Sequence, residues 1–162
     1  MSGVPNDEEL LVSHPDATWL PHGGRADVVL VGTDAVLPTP TCLVRVLATR
    51  DGKVFTVPRA DGKGLDIPTL PVGEGGAVSS LQALMVGVLG GAHPTVLLGY
   101  VRNVVPGAPD DYPWPSPDAH FAVWHCAVPV DCEPRGVWLD AYEAESQLRD
   151  RHWWPLAAHV PG

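Results

Sequence analysis

A proline-rich segment contains side chains that could contact a ligand. Residues 106–119 hold five prolines and three aspartates, which predicts a loop. The flat rings of Tyr112 and Trp114 could stack on a nucleobase or a sugar. Asp110 and Asp111 would repel a phosphate group, which favours a neutral or weakly anionic ligand over a triphosphate. An exposed loop with incidental acids remains an equally good interpretation of these residues.

Two arginines outside this loop complete the predicted ligand-binding set. Arg59 and Arg102 could supply a positive charge to a bound anion, although nothing in the sequence places them beside the loop. Their inclusion therefore depends on the fold.

Glu74 is the only acidic residue between Asp66 and Asp110, and it precedes an apolar segment. The composition of residues 77–89 predicts a helix, and the glycines that follow are typical of a C-cap. Mg²⁺ or Mn²⁺ bound beside a diphosphate needs two or more carboxylates on one helical face. This helix has none, so we predict no metal site and no cofactor. Glu74 is a catalytic candidate only if the protein is an enzyme.

Histidines and cysteines give a weaker signal. His120, His125, Cys126 and Cys132 are close in sequence, but their spacing matches no standard zinc pattern. If residues 121–128 form a strand, His120 and Cys126 face one side and His125 faces the other. Ordinary core or surface positions are the preferred interpretation.

The predicted order is several strands, one apolar helix, more strands and a C-terminal helical segment, which indicates an α+β (mixed α/β) fold rather than an all-parallel sheet. The predicted strands are 27–31, 42–49, 53–57, 95–105 and 121–128, with a second helix over 140–150. Asp51 and Gly52, between two of these strands, are a strong hairpin signal. Residues 153–156 are predicted in or beside a terminal strand.

Length, charge and composition exclude several classes of protein. The 162 residues suit one domain, and the net charge of -9 is spread along the chain without clustered cations. A nucleic-acid groove needs such clusters, and no apolar run approaches the roughly 18–20 residues that span a membrane. The acidic N-terminus does not resemble a signal peptide, and three cysteines without a CxxC pair require no disulfide. We expect a cytoplasmic protein with no nucleic-acid or membrane partner.

Four segments resemble the Nudix hydrolase family. Residues 44–46 and the hairpin over 51–54 are similar to the family's opening strands. The segment from Leu65 to Pro68, followed by Gly73 and Glu74, resembles the family's W-x-L-P-G-G…G-E loop. An apolar helix follows this loop at the right distance, and the end of the chain resembles the closing W-x-x-L segment. The segments are 44–46 with 51–54, 65–68 with 73–74, 77–89, and 151–156.

The family's signature, G-x5-E-x7-R-E-U-x-E-E-x-G-U with U aliphatic, fits this sequence poorly. With Glu74 as its first glutamate, Pro68 stands at the first glycine and Gln82 at the arginine. Only Leu84 matches its aliphatic position. The residues that stand where the three later glutamates are expected are Ala83, Val86 and Gly87. The Nudix box is therefore degenerate in this sequence.

The resemblance implies a Nudix-like sheet flanked by helices, with extra N-terminal strands. Residues 1–40 are predicted as an N-terminal extension packing on the core, and residues 41–162 as the Nudix-like domain. In this fold the ligand pocket is expected between residues 65–76 and 106–119.

Two functions remain open on these observations. The missing glutamates favour a divergent Nudix-fold protein that binds a nucleotide-like or other small molecule, or that acts in an assembly. The alternative is an active Nudix-type hydrolase of nucleoside-diphosphate-linked substrates, with Mg or Mn as cofactor. It would use unconventional acids such as Glu74, Asp110 or Asp111. Resemblance of fold does not decide between them, because activity depends on the site.

The apolar helix also predicts a partner for its outer face. Only Ser79, Ser80 and Gln82 are polar within residues 77–89, whereas an ordinary half-buried helix has a charged face. Either residues 1–40 cover that face or a second copy of the chain does. We predict a homodimer, since two-fold assemblies are the commonest oligomers. Harmless exposure of small residues is the remaining alternative.

Overall fold

One mixed sheet forms the centre of the protein, as seen in a computed structural model that describes residues 8–32 and 34–161. In chain order the strands are β1 (Glu9–Pro15), β2 (Arg25–Leu30), β3 (Thr41–Arg50), β4 (Lys53–Pro58), β5 (Leu65–Asp66), β6 (Thr69–Pro71), β7 (Val96–Val104), β8 (Asp118–Ala127) and β9 (Val137–Leu139). The helices are α1 (Ala77–Leu89), α2 (Ala141–Leu148) and a 3₁₀ helix (Trp154–His159).

The sheet has the strand order β1-β2-β7-β8-β3-β4-β5, with β6 also paired to β3 and β9 to β4. The central pair, β3 and β8, is parallel, and the other pairs are antiparallel. Helices pack on the sheet, and β1 and β2 extend it beyond β7. The predicted α+β fold with extra N-terminal strands is confirmed. None of the helices in the described ranges is long and apolar enough to cross a membrane.

Side chains alternate along β3 and separate two apolar clusters, one on each face of the sheet. Val44 and Val46 pack with the buried side of α1, while Leu47 packs with α2 and the 3₁₀ helix. The same alternation operates on β8 and places its two histidines on opposite faces, because they are an odd number of residues apart. The odd-numbered residues of β3 therefore point away from α1.

Helix α1 is buried on one side only. Leu84 and Met85 lie in the core, and Gly90 ends the helix in the left-handed conformation with φ 79°, which confirms the predicted C-cap. On the outer side Val78 is 59% exposed and Val86 is 57% exposed. The described part of the N-terminal region does not cover this outer face.

Local turn chemistry placed the hairpin between β3 and β4 as the sequence predicted. Asp51 and Gly52 have φ of 52° and 75°, the positive values that a tight two-residue hairpin requires. Two other segments differ from the sequence expectations. No strand was predicted between residues 57 and 77, but the short strands β5 and β6 lie there, and residues 154–159 form a 3₁₀ helix. Pro155 suits this helix because its fixed φ fits a first helical turn.

Candidate functional site

A cavity of about 270 Å³ lies on the sheet face opposite α1. Its floor consists of strand residues, and its walls come from the β1–β2 loop, the β7–β8 loop and the segment before the 3₁₀ helix. We call it the Arg45 cavity. The floor residues are Leu43, Arg45, Val101, Asn103 and Phe121; the wall residues are Trp19, Leu20, Pro21, Tyr112, Pro113, Trp114 and His152.

Arg45 brings a positive charge to the floor of this cavity. It lies on β3 between Leu43 and Leu47, which share its face of the sheet. Its Nε atom is buried and has no hydrogen-bond partner among the described residues. Burial lowers the pKa of the guanidinium, while the negative charge of Asp66 raises it. Arginine stays charged under these influences, so the cavity contains a half-buried cation.

Tyr112 and Trp114 bring the proline-rich loop to the cavity. The Trp114 ring packs edge-on against Phe121, with ring centroids 5.1 Å apart and an interplanar angle of 73°. The Tyr112 hydroxyl is buried and, like Nε of Arg45, forms no well-aligned hydrogen bond in the described part of the chain, although the Asn103 side chain lies beside it. Burial raises the pKa of this hydroxyl, so it is a neutral hydrogen-bond donor at neutral pH.

A stacked pair forms the opposite wall. The rings of Trp19 and His152 lie 4.4 Å apart at 22°. Although His152 is partly exposed, burial of its ring and then the positive charge of Arg45 lower its pKa. The imidazole is therefore neutral at neutral pH, and Arg45 supplies the positive charge of the cavity.

The other residues of the predicted ligand-binding set lie elsewhere. Asp110 and Asp111 are exposed in the β7–β8 loop and do not line the cavity. Arg59 pairs with Asp61 at 2.6 Å, outside the cavity lining. Arg102 points to the α1 side of the sheet, where it lies 3.5 Å from a buried carboxylate oxygen of Asp27.

Glu74 is exposed in the loop before α1. The residues of α1 do not fit a Mg²⁺ or Mn²⁺ site, because the helix has no carboxylate and its Ser80 hydroxyl accepts a hydrogen bond from the Gly73 N–H at 3.0 Å. Across residues 8–32 and 34–161 no group of three or more His, Cys, Asp and Glu side chains is arranged to hold a metal.

A larger cavity of about 930 Å³ lies on the same face of the sheet, between the β3–β4 hairpin and the 3₁₀ helix. Most of its lining is apolar. His125 is buried at its floor, where Nε2 lies 2.8 Å from the Thr49 hydroxyl, and burial lowers the pKa of the imidazole. His125 is therefore a core histidine with a hydrogen-bond partner, and it lies beside an apolar cavity.

A third cavity, of about 610 Å³, lies at the C-terminal end of α1. Cys132 donates its thiol hydrogen to the Leu89 carbonyl at 2.9 Å, and its sulfur lies 3.9 Å from Nε2 of His93. Cys126 is buried, and all three cysteines of the chain are free. His120 faces the α1 side and His125 the other side, so the two histidines do not converge on one site.

Sequence reasoning missed Arg45, Trp19 and His152. Arg45 had a visible signal, since it is the one charged residue in the apolar run from Cys42 to Ala48. Trp19 and His152 had none, because they are more than a hundred residues apart and meet only through the fold.

Comparison with solved structures identifies the fold. A crystal structure of a mutant of the Bacillus subtilis pyrophosphohydrolase BsRppH has a TM-score of 0.51 and 12% sequence identity, covering 82% of this chain and 72% of that chain. A crystal structure of an ADP compounds hydrolase has a TM-score of 0.48 and 14% sequence identity, and the match covers 98% of this chain and 96% of that chain. No protein-family model matches the sequence, and no curated protein matches it significantly. The similarity concerns the fold, and the predicted Nudix-like fold is confirmed.

Proposed function

We propose that this chain is a divergent Nudix-fold protein that binds a small, nucleotide-like or other molecule and does not carry out metal-dependent diphosphate hydrolysis. The observation that carries the proposal is the absence of carboxylates from α1. This helix follows the loop after β6, and none of its 13 residues is acidic. Divalent cations beside a diphosphate require several oxygen ligands. Glu74 alone does not provide them.

The Arg45 cavity supports the binding half of the proposal. It combines aromatic walls with a few convergent polar groups, which is the usual character of small-molecule sites. Tyr112 and Trp114 are the proposed ligand-contacting residues. Arg59 and Arg102 are engaged by Asp61 and Asp27, so the proposal does not depend on them.

Hydrolysis assays test the catalytic half. We expect no turnover of ADP-ribose, dinucleoside polyphosphates or oxidised nucleotides with Mg²⁺ or Mn²⁺, because the helix offers no ligands for the metal. The Glu74→Gln variant is the matched control and should behave as the parent does. Metal-dependent turnover that disappears in Glu74→Gln would establish the alternative, an active Nudix-type hydrolase, and would make Glu74 a metal ligand.

Three further features belong to the same proposal. We propose a homodimer formed through the outer face of α1, whose Val78 and Val86 are exposed. A cytoplasmic location is consistent with three free thiols. Residues 1–40 are proposed as an extension of the Nudix-like domain over 41–162, and within them β2 pairs with β7.

A further inference from the structure

The polar groups of the Arg45 cavity are less satisfied than other buried polar groups in the protein. Asp66 illustrates the usual case, since its carboxylate accepts hydrogen bonds from Trp153 Nε1 and from the Ile67 N–H, both at 2.8 Å. Arg45 has no such partner at Nε, and the Tyr112 hydroxyl forms no well-aligned hydrogen bond, with only the Asn103 side chain beside it among the described residues. Leaving a buried polar atom without a hydrogen bond is costly, so both groups favour a partner that enters the cavity.

We propose that the Arg45 cavity binds a small planar molecule with a single carboxylate, and that the guanidinium of Arg45 is the partner of that carboxylate. This inference rests on the proposed small-molecule-binding function and names the chemistry of the ligand.

The charge of the site favours a monoanion. Arg45 is the single arginine or lysine among the residues that line the cavity. Asp66 adds an opposing negative field, and the neighbouring His152 is neutral at neutral pH because its pKa is lowered. A dianionic phosphate would keep an uncompensated charge in a desolvated space, whereas a carboxylate matches one guanidinium in charge and in its forked geometry.

The size and walls of the cavity favour a small, flat ligand. Its volume of about 270 Å³ is below the usual range of drug-sized sites, about 300–1,000 Å³. Trp114 and the stacked pair of Trp19 and His152 offer flat apolar surfaces. The Tyr112 hydroxyl is a second polar group for orienting the ligand. A nucleoside diphosphate is too large and too highly charged for this space.

Matched pairs of probes test the carboxylate preference. Benzoate and indole-3-carboxylate are compared with benzamide and indole-3-carboxamide by isothermal titration calorimetry, with tryptophan fluorescence as a second readout. We expect at least one carboxylate to bind about ten-fold or more tightly than its amide, a ratio equivalent to about 1.4 kcal/mol. Phenyl phosphate and AMP should bind more weakly than that carboxylate. Equal affinities within both pairs, or no carboxylate binding at all, would overturn the proposal.

Variants assign the preference to Arg45. Arg45→Met should abolish the difference between carboxylate and amide, while Arg149→Met, an exposed arginine at the end of α2, should retain it. Arg45→Met should also melt at or above the temperature of the parent, because no described group loses a hydrogen bond to Nε. Retained carboxylate preference in Arg45→Met overturns the proposal. A variant that fails to fold also overturns it, since Arg45 would then have a structural partner.

A separate variant tests the second polar group. Tyr112→Phe removes only the hydroxyl and should weaken binding of the preferred carboxylate a few-fold without changing the fold. Unchanged affinity would remove Tyr112 from the site. Failure of the inference is distinguishable from failure of the proposed function: metal-dependent turnover would overturn the function alone, whereas a parent protein with no carboxylate preference, or an Arg45→Met variant that keeps it, would overturn the role of Arg45 alone.

Discussion

Individual buried polar residues separate the structural part of this protein from its candidate site. Asp27 is almost fully buried, and it is satisfied by the Ser13 hydroxyl at 2.7 Å, by Arg25 and by Arg102. Arg45 is as central in the sheet, yet its Nε lacks a described partner. Native proteins rarely leave buried polar groups unpaired, and this is why Arg45 is the basis of the proposed binding site.

Buried histidines make the stability of the protein depend on pH. Burial lowers the pKa of His120 and of His125 in the folded state, whereas the unfolded chain titrates near the ordinary value of about 6.5. The unfolded state therefore binds more protons below that pH. Stability is fully present above about pH 6.5 and is lost as pH falls through the folded-state values.

We expect the free energy of unfolding to decrease between pH 7 and pH 5 by up to about 1.4 kcal/mol per pH unit for each histidine. Urea unfolding at constant ionic strength measures this slope. His125→Gln should reduce it, and the exposed-loop variant His22→Gln should not. A stability that is flat or rises on acidification over this interval would contradict the argument.

Strands and helices tolerate a larger side chain only where neighbouring elements leave room for it. At Gly99 of β7 an added Cβ would overlap the backbone oxygen of Val29 and lie 2.7 Å from Cδ2 of Leu156. At Gly87 of α1 an added Cβ meets nothing within 4 Å. The two glycines are therefore a matched pair, one required by packing and one not.

Gly99→Ala should lower the free energy of unfolding by about 1–3 kcal/mol or more, because strand backbone cannot move away from the new methyl group. Gly87→Ala should raise it by about 0.5–1 kcal/mol, since alanine is the better helix former. Chemical unfolding of both variants measures the difference. Similar stabilities for the two variants would show that β2 and the 3₁₀ helix can move aside to accommodate a methyl group at position 99.

Local signals explain which elements could be predicted from the sequence. The β3–β4 hairpin depends on Asp51 and Gly52, and the end of α1 depends on Gly90, so their positions are encoded within a few residues. Strands β5, β6 and β9 have two or three residues each and form only by pairing with β3 or β4. Nothing local distinguishes such strands from loops.

Local signals also predict only part of the candidate site. The loop carrying Tyr112 and Trp114 was recognised from its composition, and alternation along the predicted strand places Arg45 on the face shared by Leu43 and Leu47. The cavity itself was not predictable, because it requires Trp19 and His152 from opposite ends of the chain to stack over that face.

At the scale of the whole molecule, the two sides of the sheet have different roles. Helix α1 and its apolar cluster cover one side, and the Arg45 cavity opens on the other. The helix on which the Nudix signature would place its metal ligands is thus separated from this cavity by the sheet. A ligand in the Arg45 cavity does not contact α1, which is consistent with binding that needs no metal.

The outer face of α1 is the proposed surface for assembly of two copies of the chain. Val78 and Val86 lie two turns apart on this face, both more than half exposed, and the helix has no charged residue to solvate it. A second copy that buries these valines would remove apolar surface from water at about 25 cal/mol per Å². An exposed position tolerates substitution within about 0.5 kcal/mol in a monomer, so a charge there should act on assembly and not on folding.

Light scattering of the parent and of two lysine variants tests this assembly. The parent should be a dimer, and Val86→Lys should be a monomer with an unchanged melting curve at low concentration. Val36→Lys, at a valine that is 86% exposed and lies outside α1, is the matched control and should remain dimeric. A monomeric parent, or a Val86→Lys variant that stays dimeric, would mean that the face is not an interface. The exposed valines would then sit on a helix whose small residues tolerate water, and residues 77–89 would be stabilised by their buried side alone.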